Sequence, residues 1–402
     1  MELGPIWRAI LRNKSSYALI ALQIAVTMAI MVNAIAIIQE RTSNMGRESG
    51  IDEDNIVTLT SISFATDIDM RIMIDEDLAM LRAMPGVLDA IATNSFPLRG
   101  GGSSSGLATE PGPDADGIGA AMYFSDEHAV DAYGTNIIDG RNFAPDEITW
   151  NDTESSDWPP TGVITEALAK ELFPDEQGSY VGKTVYMNDN DPVKIIGILD
   201  KLQAPWDGWE RVENSMLVPL RLDGENVKYV VRTEPGQLNI LIPQIEDAMA
   251  KNKDRIIENV QTMAEVRERS YLGDAAMIKM LSFIVILLTA ITGLGIVGLA
   301  SFSVSRRTRQ IGVRRALGAT RPEIMRYFMI ENFIISSVGI IAGGVFAIAL
   351  NIFMVQAFAL TPLAWYVVPV AMIILWLVGQ AAVAGPARRA SAISPAIATR
   401  SI

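Results

Sequence analysis

Cysteine is absent from all 402 residues, and histidine occurs once, as His128. The first absence excludes disulfide staples and thiol chemistry, so any water-exposed domain must hold itself with an apolar core. The second leaves no Cys/His metal site, and a surface position is expected for His128. No G-x4-G-K-[ST] phosphate loop and no kinase signature occurs, so the chain is expected not to be an enzyme that hydrolyses ATP. Acids are plentiful, yet none pair at an EF-hand or catalytic spacing, and most are expected to be solvated surface. The long apolar runs in turn lack ionisable residues away from their ends, which argues against a polar substrate path through a bilayer. Glu331 falls just inside one run, near an end where it can reach polar groups. No metal, cofactor or nucleic acid is expected on this chain.

Half of the residues are apolar and the net charge is −13. The charge is split. Residues 39–276 hold 43 acids against 19 bases, a net of −24, whereas the only acids elsewhere are Glu2, Glu323 and Glu331. Cationic ends flanking an acidic middle describe a membrane protein with both termini in the cytoplasm and a large domain outside. About 20 apolar residues suffice to cross a bilayer, and residues 17–38, 278–304, 327–349 and 367–384 meet that need. The first is too long for a signal peptide and lacks a cleavage site after it. Ahead of it, residues 1–16 pair Ile6 with Ile10 and Trp7 with Leu11 beside Arg8 and Arg12, an amphipathic helix for the cytoplasmic surface. Residues 385–402 form a cytoplasmic tail. Gly293, Gly295 and Gly298 match a dinucleotide fingerprint only formally, since they lie inside an apolar run. Together with Gly339 and Gly343 they suit close packing of membrane helices, as does the Ala381-x3-Gly385 spacing.

The outer segment, 39–277, opens with a polar stalk, 39–50. Strands are expected over 55–63, 193–199, 217–220 and 228–232, with helices over 75–84 and 241–257. Gly100 to Ser105 is expected to be a flexible loop. Short strands alternating with helices predict an α+β domain. The fold class is therefore an α-helical membrane domain of four transmembrane helices, with a large α+β extracytoplasmic domain inserted between helices 1 and 2.

The most informative stretch is 305–326, which carries seven arginines and a single acid, Glu323. An ordinary positive-inside loop would account for the charge. The punctuation asks for more. Gln310 to Leu317 favours a helix, and Gly318 suits the left-handed position that ends one. Thr320-Arg321-Pro322-Glu323 has the form of a capping box that opens the next helix.

The order Arg307-Thr308-Arg309-x-Ile311-Gly312-x-Arg314-Arg315-Ala316-x-Gly318-Ala319 resembles the cytoplasmic loop of MacB/FtsX-type permeases of ABC transporters. Arg306 and Gln310 stand where that family commonly has Glu. The pattern Gly134-x5-Gly140-Arg141-x-Phe143 and that from Gly162 to Phe173 resemble the family's outer domain, and 386–396 its closing motif. The resemblance implies a permease in a bacterial inner membrane. Its loop (Arg307, Arg309, Gln310, Ile311, Gly312, Arg314, Arg315, Gly318, Thr320, Glu323) would sit on a separate ABC ATPase, which binds ATP and Mg. A second permease copy, identical or paralogous, a periplasmic adaptor and an outer-membrane channel would be further partners. The work implied is export of a peptide, drug or lipid-linked cargo by mechanotransmission. The alternative is an FtsX-like regulator that activates an outer partner such as a cell-wall hydrolase. The size of the outer segment favours export.

Overall fold

The computed structural model describes residues 14–64, 68–151, 158–358 and 363–394. Expectations for residues 1–13 and for the tail from 395 lie outside these. The chain divides into two compact units, Met1–Met45 with Gly273–Ile402, and Gly46–Leu272. Helix α1, Lys14–Met45, precedes the second unit in sequence. At 1.5 Å per residue its 32 residues span about 48 Å, well beyond a hydrocarbon core of about 30 Å. The polar stalk expected from residue 39 is thus a continuation of α1 as far as Met45, and residues 46–50 lie beyond the helix.

The outer unit has two cores. Its first half contains β1 (Ile56–Ser63), α2 (Met70–Arg82), β2 (Val87–Thr93), β3 (Ser103–Ala108) and β4 (Ile118–Phe124). There follow α3 (Ala129–Tyr133), β5 (Ile137–Gly140), β6 (Thr149–Trp150), β7 (Thr161–Thr165) and α4 (Glu166–Leu172). The second half contains β8 (Thr184–Met187), β9 (Asp191–Leu199), β10 (Ser215–Val218), β11 (Leu220–Arg221) and β12 (Asn226–Thr233). It ends with α5 (Leu238–Met249), β13 (Arg255–Thr262) and α6 (Met263–Ser270).

Strands β13-β1-β12-β2 form one antiparallel sheet in that order. Alternate side chains Val57, Leu59, Tyr229 and Val231 face Ile74, Leu78 and Leu81 of α2 and Leu241 and Ile245 of α5. Buried within this layer, Asp77 accepts from the Tyr229 hydroxyl at 2.7 Å and is ion-paired with Arg255, whose Nε donates to the Met249 carbonyl. Burial, followed by the Asp77 charge, pushes the Tyr229 phenol well above its ordinary range, so it stays a donor. The second sheet runs β5-β9-β7-β10-β4-β3-β8, and β8 also pairs with β9. Six of its strands thus close a ring with no free edge between them. Met122, Ile164, Val185, Ile195 and Met216 fill it beside Leu168 and Leu172 of α4.

Two expectations need correction here. Gly100 to Ser105 is not simply a loop, because Ser103–Ala108 forms β3, with Ser103 to Ser105 paired to Met122, Ala121 and Ala120. The helix expected over 241–257 stops at Met249, and Arg255 begins the edge strand β13. His128 keeps 35% of its side chain exposed, its Nδ1 2.9 Å from Asp89 Oδ2.

At the start of the first sheet, Val57 of β1 lies opposite Thr262 of β13. Just outside that pair, Arg267 of α6 grips Glu53 through both carboxylate oxygens, at 2.5 and 2.6 Å.

The membrane unit continues with α7 (Leu272–Arg306), α8 (Thr308–Ala316), α9 (Arg321–Phe358) and α10 (Val367–Ser391). Its core joins Ile24, Met28 and Val32 of α1 to Ile335, Ile340 and Ala347 of α9 and Ala371, Leu375 and Val383 of α10. A Cβ on Gly339 would stand 2.6 Å from the Ala21 carbonyl oxygen, and one on Gly343 2.5 Å from that of Ala25. The two glycines therefore let α9 touch the backbone of α1. Asn332 donates to the Gly379 carbonyl at 3.0 Å and Trp376 to the Ser337 hydroxyl at 3.1 Å, which ties α9 to α10. The α7 glycines behave differently. Gly295 faces Gln23, Gly293 barely reaches Val378, and Gly298 has nothing within 4 Å, nor has Gly385. Gly298 and Gly385 therefore make no close helix contact among the described residues.

Candidate functional site

The arginine loop is a built corner. Arg306 ends α7, and Arg307 turns the chain (φ −105°, ψ 9°) into α8. Helix α8 stops in a double hydrogen-bonded cap: Gly318 N–H donates to the Arg315 carbonyl at 3.2 Å, and Ala319 N–H to that of Arg314 at 3.0 Å. This cap needs a left-handed residue, which Gly318 supplies at φ +99°. Two residues later the Glu323 carboxylate accepts from the Thr320 N–H at 2.8 Å and starts α9. The expected helix from 310 to 317 is thus found one to two residues earlier, at Thr308–Ala316.

One side of α8 is fixed. Ile311 is buried with Ile324, Tyr327 and Phe328 of α9 and Ala387 and Ala390 of α10, and Gly312 is buried beside it. Arg314 lies over the Tyr327 ring at 5.2 Å, its charge facing the negative π surface. Arg307 points inward, donating to Glu331 Oε2 at 3.2 Å and to the Tyr17 oxygen at 3.2 Å. Tyr17 in turn donates to Glu331 Oε1 at 2.6 Å, and Tyr327 OH lies 3.4 Å from Arg307. Glu331 is 4% exposed, and Arg307 and Tyr17 supply its counter-charge and a hydrogen-bond donor.

The opposite side is open. Arg309, Gln310 and Arg321 are exposed, as is Arg314 at the rim above Tyr327, Arg315 is half-buried, and the apolar Val313 and Leu317 are 45% and 83% exposed. Leu317 thus stands as a bare apolar side chain at the tip of a capped, cationic helix.

The ten loop residues singled out from sequence thus fall into four groups. Arg309, Gln310 and Arg314 form the open face, Ile311 and Gly312 the packed face, and Gly318, Thr320 and Glu323 the caps; Arg307 and Arg315 are turned partly inward. Val313 and Leu317 were missed, although their 3.6-residue spacing on the face of Arg309 and Gln310 was a signal. Tyr17 was also missed, and no local pattern pairs it with Glu331. Elsewhere, Gly178-x3-Gly182-Lys183-Thr184 falls one residue short of a phosphate loop. It leads into strand β8 rather than a helix, and Lys183 is ion-paired with Glu176 and lies 4.9 Å from the Phe173 ring centre.

Comparison with known proteins gives two family matches. A model described as MacB-like periplasmic core domain matches residues 17–251, and one described as FtsX-like permease C-terminal matches residues 282–395. The macrolide export ATP-binding/permease protein MacB of Shewanella sp. (strain ANA-3) is 27% identical over 227 residues, which covers 52% of this chain and 33% of that protein. The uncharacterized ABC transporter permease YknZ of Bacillus subtilis (strain 168) is 30% identical over 257 residues, covering 60% of this chain and 61% of YknZ. The matches thus span from one third to about three fifths of these relatives' length. Among solved structures, the periplasmic region of MacB from Actinobacillus actinomycetemcomitans aligns at 19% identity with a TM-score of 0.33, over 55% of this chain and 94% of that one.

Proposed function

The chain belongs to the permeases that join a MacB-like periplasmic core domain to an FtsX-like C-terminal membrane region, and we propose that it is the membrane subunit of an ABC transporter. In this reading a separate ATPase binds ATP and Mg, and α8 is the piece it grips. A second permease copy, identical or paralogous, completes the complex, with an adaptor and an outer channel as further partners. ATP-driven displacement of α8 moves the outer domain, which expels a peptide, drug or lipid-linked cargo without a polar path through the bilayer. The single observation that carries this reading is the two-sided build of α8: one face anchored on α9 and α10, the other presenting Arg309, Gln310, Val313 and Leu317 to solvent.

Two measurements test it. A Leu317→Asp variant is expected to insert normally but to co-purify with its ATPase at least tenfold less well, because a buried interface anchor typically carries about 2 kcal/mol or more. Undiminished capture would remove the docking role. Gly318→Val is expected to uncouple ATP hydrolysis from export. Among the described residues nothing lies within 4 Å of a Cβ at that position, so the harm arises from φ, a strain of about 1–3 kcal/mol for a branched residue.

Orientation is a separate expectation. Since the chain has no native cysteine, a single Ser104→Cys label on exposed β3 reports one site. It should react with an impermeant thiol reagent from outside, whereas Gly318→Cys should not. The reverse pattern would invert the topology.

A further inference from the structure

We propose that Tyr17, Arg307 and Glu331 form a buried latch that makes the docking loop and both helices leading to the outer domain move together. The inference rests on the docking reading of α8 and adds what happens behind it. The three side chains come from three elements: α1, the α7–α8 corner and α9. Each bonds to the other two, so the arrangement is a closed triangle rather than a chain. A cavity of about 30 Å³ borders it, lined in part by Ser303, Asn332 and Ile296, which leaves room for about one water and little more.

The need for such a latch follows from how α7 is packed. Only Thr292 and Ile296 are buried along its 35 residues, while Phe283, Ile286, Leu294 and Phe302 are exposed. Apolar contact of α7 with the membrane core is thus thin, made by Ile296 and the partly buried Val285, Leu299 and Ala300. Polar ties between α7 and α1 include Arg41–Asp274 at 3.0 Å near the outer ends, Thr27–Thr292 at 2.8 Å midway, and the triangle at the cytoplasmic end. Of these the triangle alone contains a buried charge pair, and it sits where α7 becomes α8. Arg307 stands next to the first residue of the docking helix, so a push on α8 reaches it along the backbone, beside the direct contact of Ile311 with α9 and α10. Glu331 and Tyr17 then pass it to α9 and α1. In this scheme Glu331 is a positioning residue: it fixes Arg307 and Tyr17 to each other.

The test separates transmission from mere stability. Removing one partner would leave a buried charge unpaired, so both charges are replaced, as Arg307→Met with Glu331→Leu, an exchange that buried ion pairs often tolerate. Tyr17→Phe removes only the hydroxyl. In the full-length chain, spin labels on Leu19→Cys of α1 and Val313→Cys of α8, both exposed, report the distance between helix and loop. The expected result is one narrow distance distribution in the parent and a broad one in both variants, at unchanged melting temperature. ATP-driven movement of a label on Ser104→Cys, read with the ATPase bound, should fall roughly tenfold, within the range for residues that carry coupling between sites. Narrow distributions in the variants would overturn the latch, whatever the ATPase does. A narrow parent and broad variants, in a chain that binds no ATPase, would uphold the latch and sink the docking reading instead. A broad distribution in the double variant alone would remove α1 from the latch.

Discussion

Arg255→Met is expected to lower the stability of the outer domain by about 3–5 kcal/mol, the cost of leaving one partner of a buried ion pair alone. Asp77 and Arg255 are 5% and 8% exposed, and Asp77 would keep only the Tyr229 hydroxyl as a partner. The loss also frees the edge strand, because Arg255 opens β13 and reaches back to the carbonyl of Met249 at the end of α5. Adding Asp77→Leu should restore most of the stability, since an apolar pair needs no counter-charge. Urea unfolding of residues 46–272, a segment with its own two cores, measures both variants. A single variant with the parent's midpoint would show that water reaches Asp77.

Gly343→Leu is expected to abolish the folded membrane unit. A Cβ there meets backbone oxygen and the Met28 Cβ at 2.7 Å, neither of which can swing aside. Overpacking a core already costs about 1–3 kcal/mol per site when side chains can adjust, and here α1 and α9 must separate. Gly339→Leu should behave alike, while Gly298→Leu and Gly385→Leu, with open space around them, should purify and melt as the parent does. Equal melting temperatures for all four would mean that the α1–α9 contact is loose.

These glycines show what a sequence can and cannot reveal. The spacing of Gly339 and Gly343 pointed to a helix contact, but the same spacing argument applied to Ala381 and Gly385, and Gly385 meets no helix among the described residues. A small residue permits close approach without saying whether a neighbour comes. The corner at Gly318 was legible in detail because caps are local: Gly318, Thr320 and Glu323 lie within a few residues of the groups they bond. The triangle was legible only as an oddity, one acid inside an apolar run, since Tyr17 and Glu331 are 314 residues apart. Strand β3 was hidden for another reason. Ser103, Ser104 and Ser105 carry no apolar alternation, and they become a strand because Ala120 to Met122 offer a backbone edge. The helix expected to run to 257 failed at Asn252 and Asp254, polar turn formers that separate α5 from β13.

The pairing of Val57 with Thr262 has a mechanical side. The chain enters the outer domain shortly before β1 and leaves it shortly after β13, and these two strands are neighbours in one antiparallel ladder. Entry and exit therefore lie at the same end of that ladder. Tension applied equally to both would load the domain as a whole and leave the ladder unstressed. Tension applied to one against the other would act as on a zipper, breaking one hydrogen bond after the next from Val57 inward. The double grip of Arg267 on Glu53 closes the zipper at the place where it would start to open. The domain is thus built like a two-legged handle, strong when both legs are drawn in step and weak when they are drawn apart.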